Sequence, residues 1–93
     1  MLTHDRIVEA VSKAANQFPI SKAEYFGSYA DGNATEESDL DLLVDFGEKT
    51  VSILTVIGLK QYFEEELNKS VDVISVPLPK EAIIVIGKTV NVL

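Results

Sequence analysis

The sequence contains no cysteine, so neither a disulfide nor a thiolate metal site can stabilise the chain. Basic residues are also scarce, with 8 lysines and arginines against 15 aspartates and glutamates and a formal net charge of −7. A protein whose main partner is nucleic acid needs a basic face that displaces counterions from phosphates, so this balance argues against nucleic-acid binding. No apolar run could span a bilayer and the polar N-terminus does not resemble a signal peptide, so we expect a cytoplasmic protein with no membrane partner.

Apolar residues are plentiful instead. They make up 46% of the 93 residues, which is enough for one hydrophobic core. We therefore expect residues 1–93 to form a single domain whose stability comes from apolar burial.

The spacing of the apolar residues predicts an alternation of helices and strands. We expect a helix at 3–16, a strand at 22–28, a polar loop with room for one helical turn at 29–38, a strand at 40–46, a helix from a Thr50 cap to about Asn68, a strand at 70–76 and a short strand at 90–92. Residues 80–87 stay open between helix and strand, because their start after Pro79 suits a helix whereas the β-branched run Ile83–Ile86 favours a strand. The predicted fold class is α/β (α+β): a small mixed sheet with helices packed on one face.

The stretch "GSYADGNATEESDLDLLVDF", residues 27–46, carries the candidate chemistry. Side chains alternate along a strand, so Asp39 and Asp41 point to one face, about 7 Å apart, while the neighbouring leucines point to the other. Two carboxylates that close repel each other and need a compensating cation, and Mg²⁺ prefers one or two carboxylates together with phosphates and waters. The competing interpretation is a half-exposed strand with polar residues facing solvent.

Two further features favour the metal interpretation. Asp72 lies in another strand-like segment, "SVDVISV", and would face the same site if the two strands pair. Gly27 and Ser28 precede the loop, where a glycine lets the backbone approach a phosphate and a serine hydroxyl can bind its oxygens. By contrast, the acidic run 64–66 is most simply the solvated side of a helix.

Gly27-Ser28, ten intervening residues and then Asp39-Leu40-Asp41 resemble the signature of the DNA polymerase β-type nucleotidyltransferase superfamily. The longer runs "YFGSYADGNATEESDLDLLVDF" and "GLKQYFEEELNKSVDVISV" are similar to its minimal nucleotidyltransferase (MNT) family, the antitoxin partners of HEPN toxins. The resemblance covers roughly residues 21 to 77. It implies a nucleotidyltransferase-like fold.

The resemblance also implies roles for individual residues. Asp39, Asp41 and Asp72 would be catalytic and would hold two Mg²⁺ ions, while Gly27 and Ser28 would bind the phosphates of ATP. AMP would pass to a hydroxyl, expected to be a tyrosine, of a helical HEPN toxin, which would be silenced.

One departure from the family pattern concerns the site directly. Asp31 stands where family members commonly have a basic residue, so a cation beside the triphosphate or a contact to the partner is lost. Two alternatives to the antitoxin enzyme stay open: a non-catalytic module that neutralises its partner by contact, and a free-standing transferase acting on a small molecule. Short edge strands also leave a homodimer open.

Overall fold

The computed structural model describes residues 1–76 and 86–93. Much of the open question at 80–87 therefore falls outside the described residues. The elements in chain order are α1 (His4–Ala14), β1 (Lys22–Phe26), α2 (Ser28–Asp31), β2 (Leu40–Asp45), α3 (Ile53–Leu67), β3 (Val71–Ser75) and β4 (Val90–Asn91). The predicted helices and strands within the described ranges are present, and the polar loop contains one helical turn, α2, which begins at Ser28, a residue that the sequence assigned to the end of the preceding strand.

The strands form one mixed sheet in the order β3-β2-β1-β4. β1 pairs antiparallel with both β2 and β4, whereas β2 and β3 are parallel. A parallel pair needs a long crossover connection, and α3 provides it between β2 and β3. The mixed sheet predicted from the sequence is confirmed.

The core lies on one face of this sheet, under α1 and α3. The strands contribute buried residues at alternate positions and each helix contributes one apolar stripe, and the largest fully buried side chains are Phe63, Ile7, Leu40, Leu42, Leu59, Val11, Val44 and Val71. The opposite face carries the other alternate residues of the two central strands, namely Lys22, Glu24, Phe26, Asp41, Leu43 and Asp45. β2 thus presents two leucines and its valine to the core on one side and Asp41 and Asp45 on the other.

The ends of the helices follow local hydrogen-bonding rules. Thr3 caps α1 by accepting the Arg6 N–H at 3.1 Å. The predicted Thr50 cap of α3 is wrong. Ser52 is the cap, because it accepts the Thr55 N–H at 3.3 Å, and the helix begins at the next residue, Ile53. Both residue types cap well, so composition alone could not choose between them.

The acidic run of α3 is more than a solvated surface. Lys13 Nζ of α1 donates to Glu66 Oε1 at 3.0 Å, and Arg6 Nη2 donates to the Glu66 carbonyl oxygen at 2.6 Å. The Glu64 carboxylate accepts the Val71 N–H at 3.2 Å. The prediction that this run only faces solvent was wrong for these two residues, which tie α3 to α1 and to β3.

None of the described helices combines the length and the apolar character that crossing a bilayer requires.

Candidate active site

The parallel pairing of β2 and β3 brings two of the predicted aspartates side by side. In the register of these strands Asp41 is directly opposite Asp72. Neighbouring strands lie about 4.8 Å apart, and paired residues point to the same face of a sheet. The strand pairing on which the sequence argument depended is therefore present.

Asp39 lies just outside this ladder. β2 begins at Leu40, so Asp39 is the last residue of the loop before the strand, and it is exposed. Asp41 is half-buried, whereas the Asp72 side chain is 59% exposed. The three carboxylates thus differ in how firmly the sheet holds them, with Asp39 the least restrained by strand pairing.

The electrostatics of the site centre on Asp41. Partial burial, followed by the negative charges of Asp72 and Asp39, raises the pKa of the Asp41 carboxyl above its ordinary value. Carboxylates that perturb one another in this way form a cation-seeking cluster. A bound positive charge would relieve this repulsion at Asp41.

Gly27 fits closely beneath Asp41. Its backbone has φ +70° and ψ −146°, a conformation that essentially only glycine adopts, and it connects β1 to α2. A Cβ added at this position would overlap Asp41 Oδ2. Both the conformation and the contact with Asp41 require glycine at this position.

Ser28 is the first residue of α2 and is half-buried. Its carbonyl oxygen accepts the Asn33 N–H at 3.0 Å. Asp31 is the exposed last residue of the same turn, followed by Gly32 in a left-handed conformation. The departure from the family pattern at Asp31 therefore lies one helical turn from Ser28.

Lys60 is a member of the site that the sequence reasoning missed. Its Nζ lies 3.7 Å from Asp72 Oδ1 and 3.9 Å from Glu64 Oε2. Helical spacing places Lys60 and Glu64 on one side of α3, but it does not reveal that this side meets β3. The lysine supplies one positive charge beside the carboxylate cluster.

Divalent metal suits the chemistry of these donors. Within residues 1–76 and 86–93, no three histidine, aspartate or glutamate side chains converge closely enough to enclose one ion. Mg²⁺ does not need such a cage, because it usually takes one or two carboxylates and completes its octahedron with waters and substrate phosphates. The oxygen donors of Asp39, Asp41 and Asp72, and their mutual repulsion, fit that mode of binding.

Two cavities lie away from Asp39, Asp41 and Asp72. A groove of about 600 Å³ is lined by the α1–β1 and β2–α3 connections, including Phe18, Phe46 and Lys49, and contains none of the predicted site residues. A smaller cavity of about 220 Å³ lies on the open sheet face beside Glu24, Leu43 and Asp45. Asp45 itself accepts the Gly47 N–H at 2.7 Å, so its carboxylate serves the turn that ends β2.

Known proteins are similar to this chain in sequence and in fold. The family model "Polymerase beta, Nucleotidyltransferase" matches residues 9–90. A Methanocaldococcus jannaschii protein, provisionally named protein adenylyltransferase MJ0435, is 44% identical over 69 residues, which are 70% of this chain and 73% of the relative. Protein adenylyltransferase MntA of Thermococcus cleftensis is 43% identical over 58 residues, which are 62% of this chain and 58% of that protein.

Solved structures show the same architecture. A structure described provisionally as a minimal nucleotidyltransferase is 30% identical, with a TM-score of 0.75 over 96% of this chain and 95% of its own. A toxin–antitoxin crystal structure with AMP-PNP has a TM-score of 0.76 at 20% identity, covering 99% of this chain and 73% of that one. With the Gly27–Asp41 contact and the paired aspartates already described, these matches establish that the chain belongs to the polymerase beta nucleotidyltransferase family, as a nucleotidyltransferase of the minimal type.

Proposed function

We propose that this protein transfers AMP from ATP to a hydroxyl of a partner toxin, with tyrosine as the acceptor and a HEPN protein as the toxin, and that the transfer neutralises it. The observation that carries the proposal is the pairing of Asp41 with Asp72, together with the close contact between Asp41 and Gly27. The names of similar proteins support it, since one relative is called a protein adenylyltransferase and one structural neighbour is a toxin–antitoxin complex with AMP-PNP. ATP, Mg²⁺ and such a partner would all be met in the cytoplasm.

Each of the site residues predicted from the sequence would have a task in this reaction. Asp39, Asp41 and Asp72 would hold two Mg²⁺ ions, which when bound neutralise phosphate charge and polarise the attacking and leaving oxygens. Gly27 and Ser28 would hold the β- and γ-phosphates through backbone N–H groups and the Ser28 hydroxyl. The acceptor oxygen forms a new bond to the α-phosphorus, the bond from that phosphorus to the β-phosphate oxygen breaks, and pyrophosphate leaves. Asp72 would help to remove the hydroxyl proton.

The test uses ATP labelled at the α-phosphorus, with Mg²⁺, the purified protein and the product of the neighbouring gene. ATP labelled at the γ-phosphorus serves as the control. We expect label on the partner from the α-labelled nucleotide alone, and its loss in the double variant Asp39→Asn/Asp41→Asn. The Asp45→Asn variant is the matched control, because that aspartate lies on the same strand but binds the Gly47 N–H.

Neutralisation of the toxin in cells separates this proposal from a non-catalytic binding module. Transfer predicts that Asp39→Asn/Asp41→Asn abolishes neutralisation while the complex with the partner persists. A stable complex that neutralises equally well with both aspartates replaced, and that carries no label, would contradict the proposal and favour inhibition by contact.

A further inference from the structure

The connection between α3 and β3 reaches back to the loop that carries Asp39. Asn68 ends α3 in a left-handed conformation, with φ 50° and ψ 50°, and Lys69 follows it. Lys69 Nζ donates to the carbonyl oxygen of Glu36 at 2.9 Å and to that of Ser38 at 2.8 Å. Lys69, which lies 31 residues after Ser38 in the chain, thus binds the backbone directly before Asp39.

The loop that Lys69 holds is ordered by its own hydrogen bonds. The Thr35 N–H donates to Ser38 Oγ at 2.9 Å, and the Ser38 N–H donates to the Thr35 carbonyl oxygen at 3.1 Å. A turn closed in this way moves as a unit, so a bond to its carbonyl oxygens restrains all of it.

A second anchor lies on the other side of Asp39. The Leu40 N–H donates to the Ser70 carbonyl oxygen at 3.1 Å. Asp39 therefore lies between two attachments, Ser38 to Lys69 and Leu40 to Ser70, and both come from the same connection. Strand pairing restrains Asp41 and Asp72, but Asp39 precedes β2 and depends on these attachments instead.

We propose that Lys69 is a positioning residue that orients the Asp39 carboxylate for metal binding. The inference rests on the proposed function, in which Asp39 is a metal ligand. Outer groups that orient metal ligands affect metal binding strongly, and their loss typically weakens it about 10- to 100-fold. Lys69 is also a cation, so its positional effect must be separated from the effect of its charge.

Lys60 provides that separation. It lies beside Asp72 and contacts carboxylates, so Lys60→Met removes a positive charge without releasing the Asp39 loop. We expect Lys60→Met to bind divalent cation more tightly, because a competing charge is gone. We expect Lys69→Met to bind it about tenfold more weakly, because the loss of positioning outweighs the same loss of charge.

The experiment measures binding of Mn²⁺ alone, without nucleotide, by electron paramagnetic resonance and calorimetry. Lys13→Met, whose lysine bonds Glu66 away from the site, is the control for a purely structural effect and should leave the affinity unchanged. Lys69→Arg retains charge and donors and should restore most of the binding. Hydrogen exchange of the amides of residues 36–40 should become faster in Lys69→Met and stay unchanged in Lys60→Met.

Tighter or unchanged Mn²⁺ binding by Lys69→Met would overturn the inference, since charge alone would then describe the residue. If Lys69→Met does not fold, Lys69→Ser takes its place, because serine is neutral and polar but too short to reach either carbonyl oxygen. The positional account predicts weaker binding than wild type for it, and the charge account predicts tighter binding.

Mn²⁺ binding by the wild type and by Asp39→Asn distinguishes failure of this inference from failure of the proposed function. Wild-type binding that is lost in Asp39→Asn but retained in full by Lys69→Met overturns the role of Lys69 alone. A wild-type protein that binds no Mn²⁺ overturns the metal-dependent function and this inference together.

Discussion

At the scale of single residues, the candidate site works against the stability of the metal-free fold. Asp41 is half-buried beside two other carboxylates, and Gly27 adopts a backbone conformation that is unfavourable for every other residue type. Functional sites commonly keep such unfavourable features because the chemistry requires them. Replacing the residue that bears the greatest electrostatic penalty should therefore stabilise the protein while removing its activity.

We expect Asp41→Asn to raise the melting temperature of the metal-free protein at neutral pH. Burial and the neighbouring carboxylates raise the folded-state pKa of Asp41, so the stability present below the ordinary aspartate pKa is lost as the pH rises through the raised value. The amide does not ionise and escapes that loss. Thermal unfolding in EDTA should show the gain at pH 7 and its disappearance below the ordinary aspartate pKa.

Asp45→Asn is the control for Asp41→Asn. Its carboxylate accepts the Gly47 N–H at 2.7 Å, so its replacement should bring no comparable gain. An Asp41→Asn protein that melts below wild type at neutral pH would show that repulsion within the cluster is not the dominant effect.

At the scale of elements, the two long helices are joined by charge as well as by apolar packing. The Glu66 carboxylate of α3 forms ion pairs with Lys13 and Arg6 of α1, and its side chain is 25% exposed. The hydrogen bond from Lys13 is the main cause that lowers the pKa of Glu66, against a smaller opposing effect of desolvation. This contact sets α1 beside α3 over the sheet.

We expect Glu66→Gln to lower the free energy of unfolding at neutral pH. A depressed folded-state pKa contributes stability that is present above the ordinary glutamate pKa and is lost as the pH falls through the lowered value. Urea unfolding should therefore show a deficit at pH 7 that shrinks under acidic conditions and at high salt, where exposed ion pairs are screened.

Glu65→Gln is the matched control for this contact. Glu65 is the exposed neighbour of Glu66 and forms no ion pair within the described part of the chain. Equal deficits in the two variants would contradict a specific link between the helices.

At the scale of the whole molecule, the core lies on one side of the sheet and the carboxylates on the other. Phe63 is fully buried in the C-terminal half of α3, and its ring packs edge-on against Tyr62. Because helices cover only one face, substitutions in the core can change stability without replacing any of the carboxylates.

We expect Phe63→Ala to destabilise the fold by about 3–5 kcal/mol, a large fraction of the 5–15 kcal/mol typical of a whole protein. The exposed Ile53, 70% accessible on the same helix, provides the control: Ile53→Ala should change stability by no more than about 0.5 kcal/mol. Urea midpoints measure both. The expectation fails if the two substitutions cost the same, since Phe63 would then not be part of a close-packed core.

Much of the site could be predicted from the sequence because it depends on short-range patterns. The alternation of Leu40, Asp41 and Leu42 determines which side chains face the core, and the glycine before Ser28 permits a turn that other residues resist. The order of helices and strands similarly predicts a small mixed sheet. These features depend on residues that are close together in the chain, so they can be predicted from the sequence alone.

Other features were decided only when distant segments met. The pairing of Asp41 with Asp72 requires α3 to cross over the sheet, and the attachment of Lys69 to the loop before Asp39 joins residues more than thirty apart. Ser52 rather than Thr50 is the cap because of where α3 begins. Glu66 binds Lys13 because of how α3 is oriented beside α1. Sequence periodicity specifies which face a side chain occupies, whereas the tertiary structure specifies what that face meets, because such contacts depend on the relative positions of whole elements.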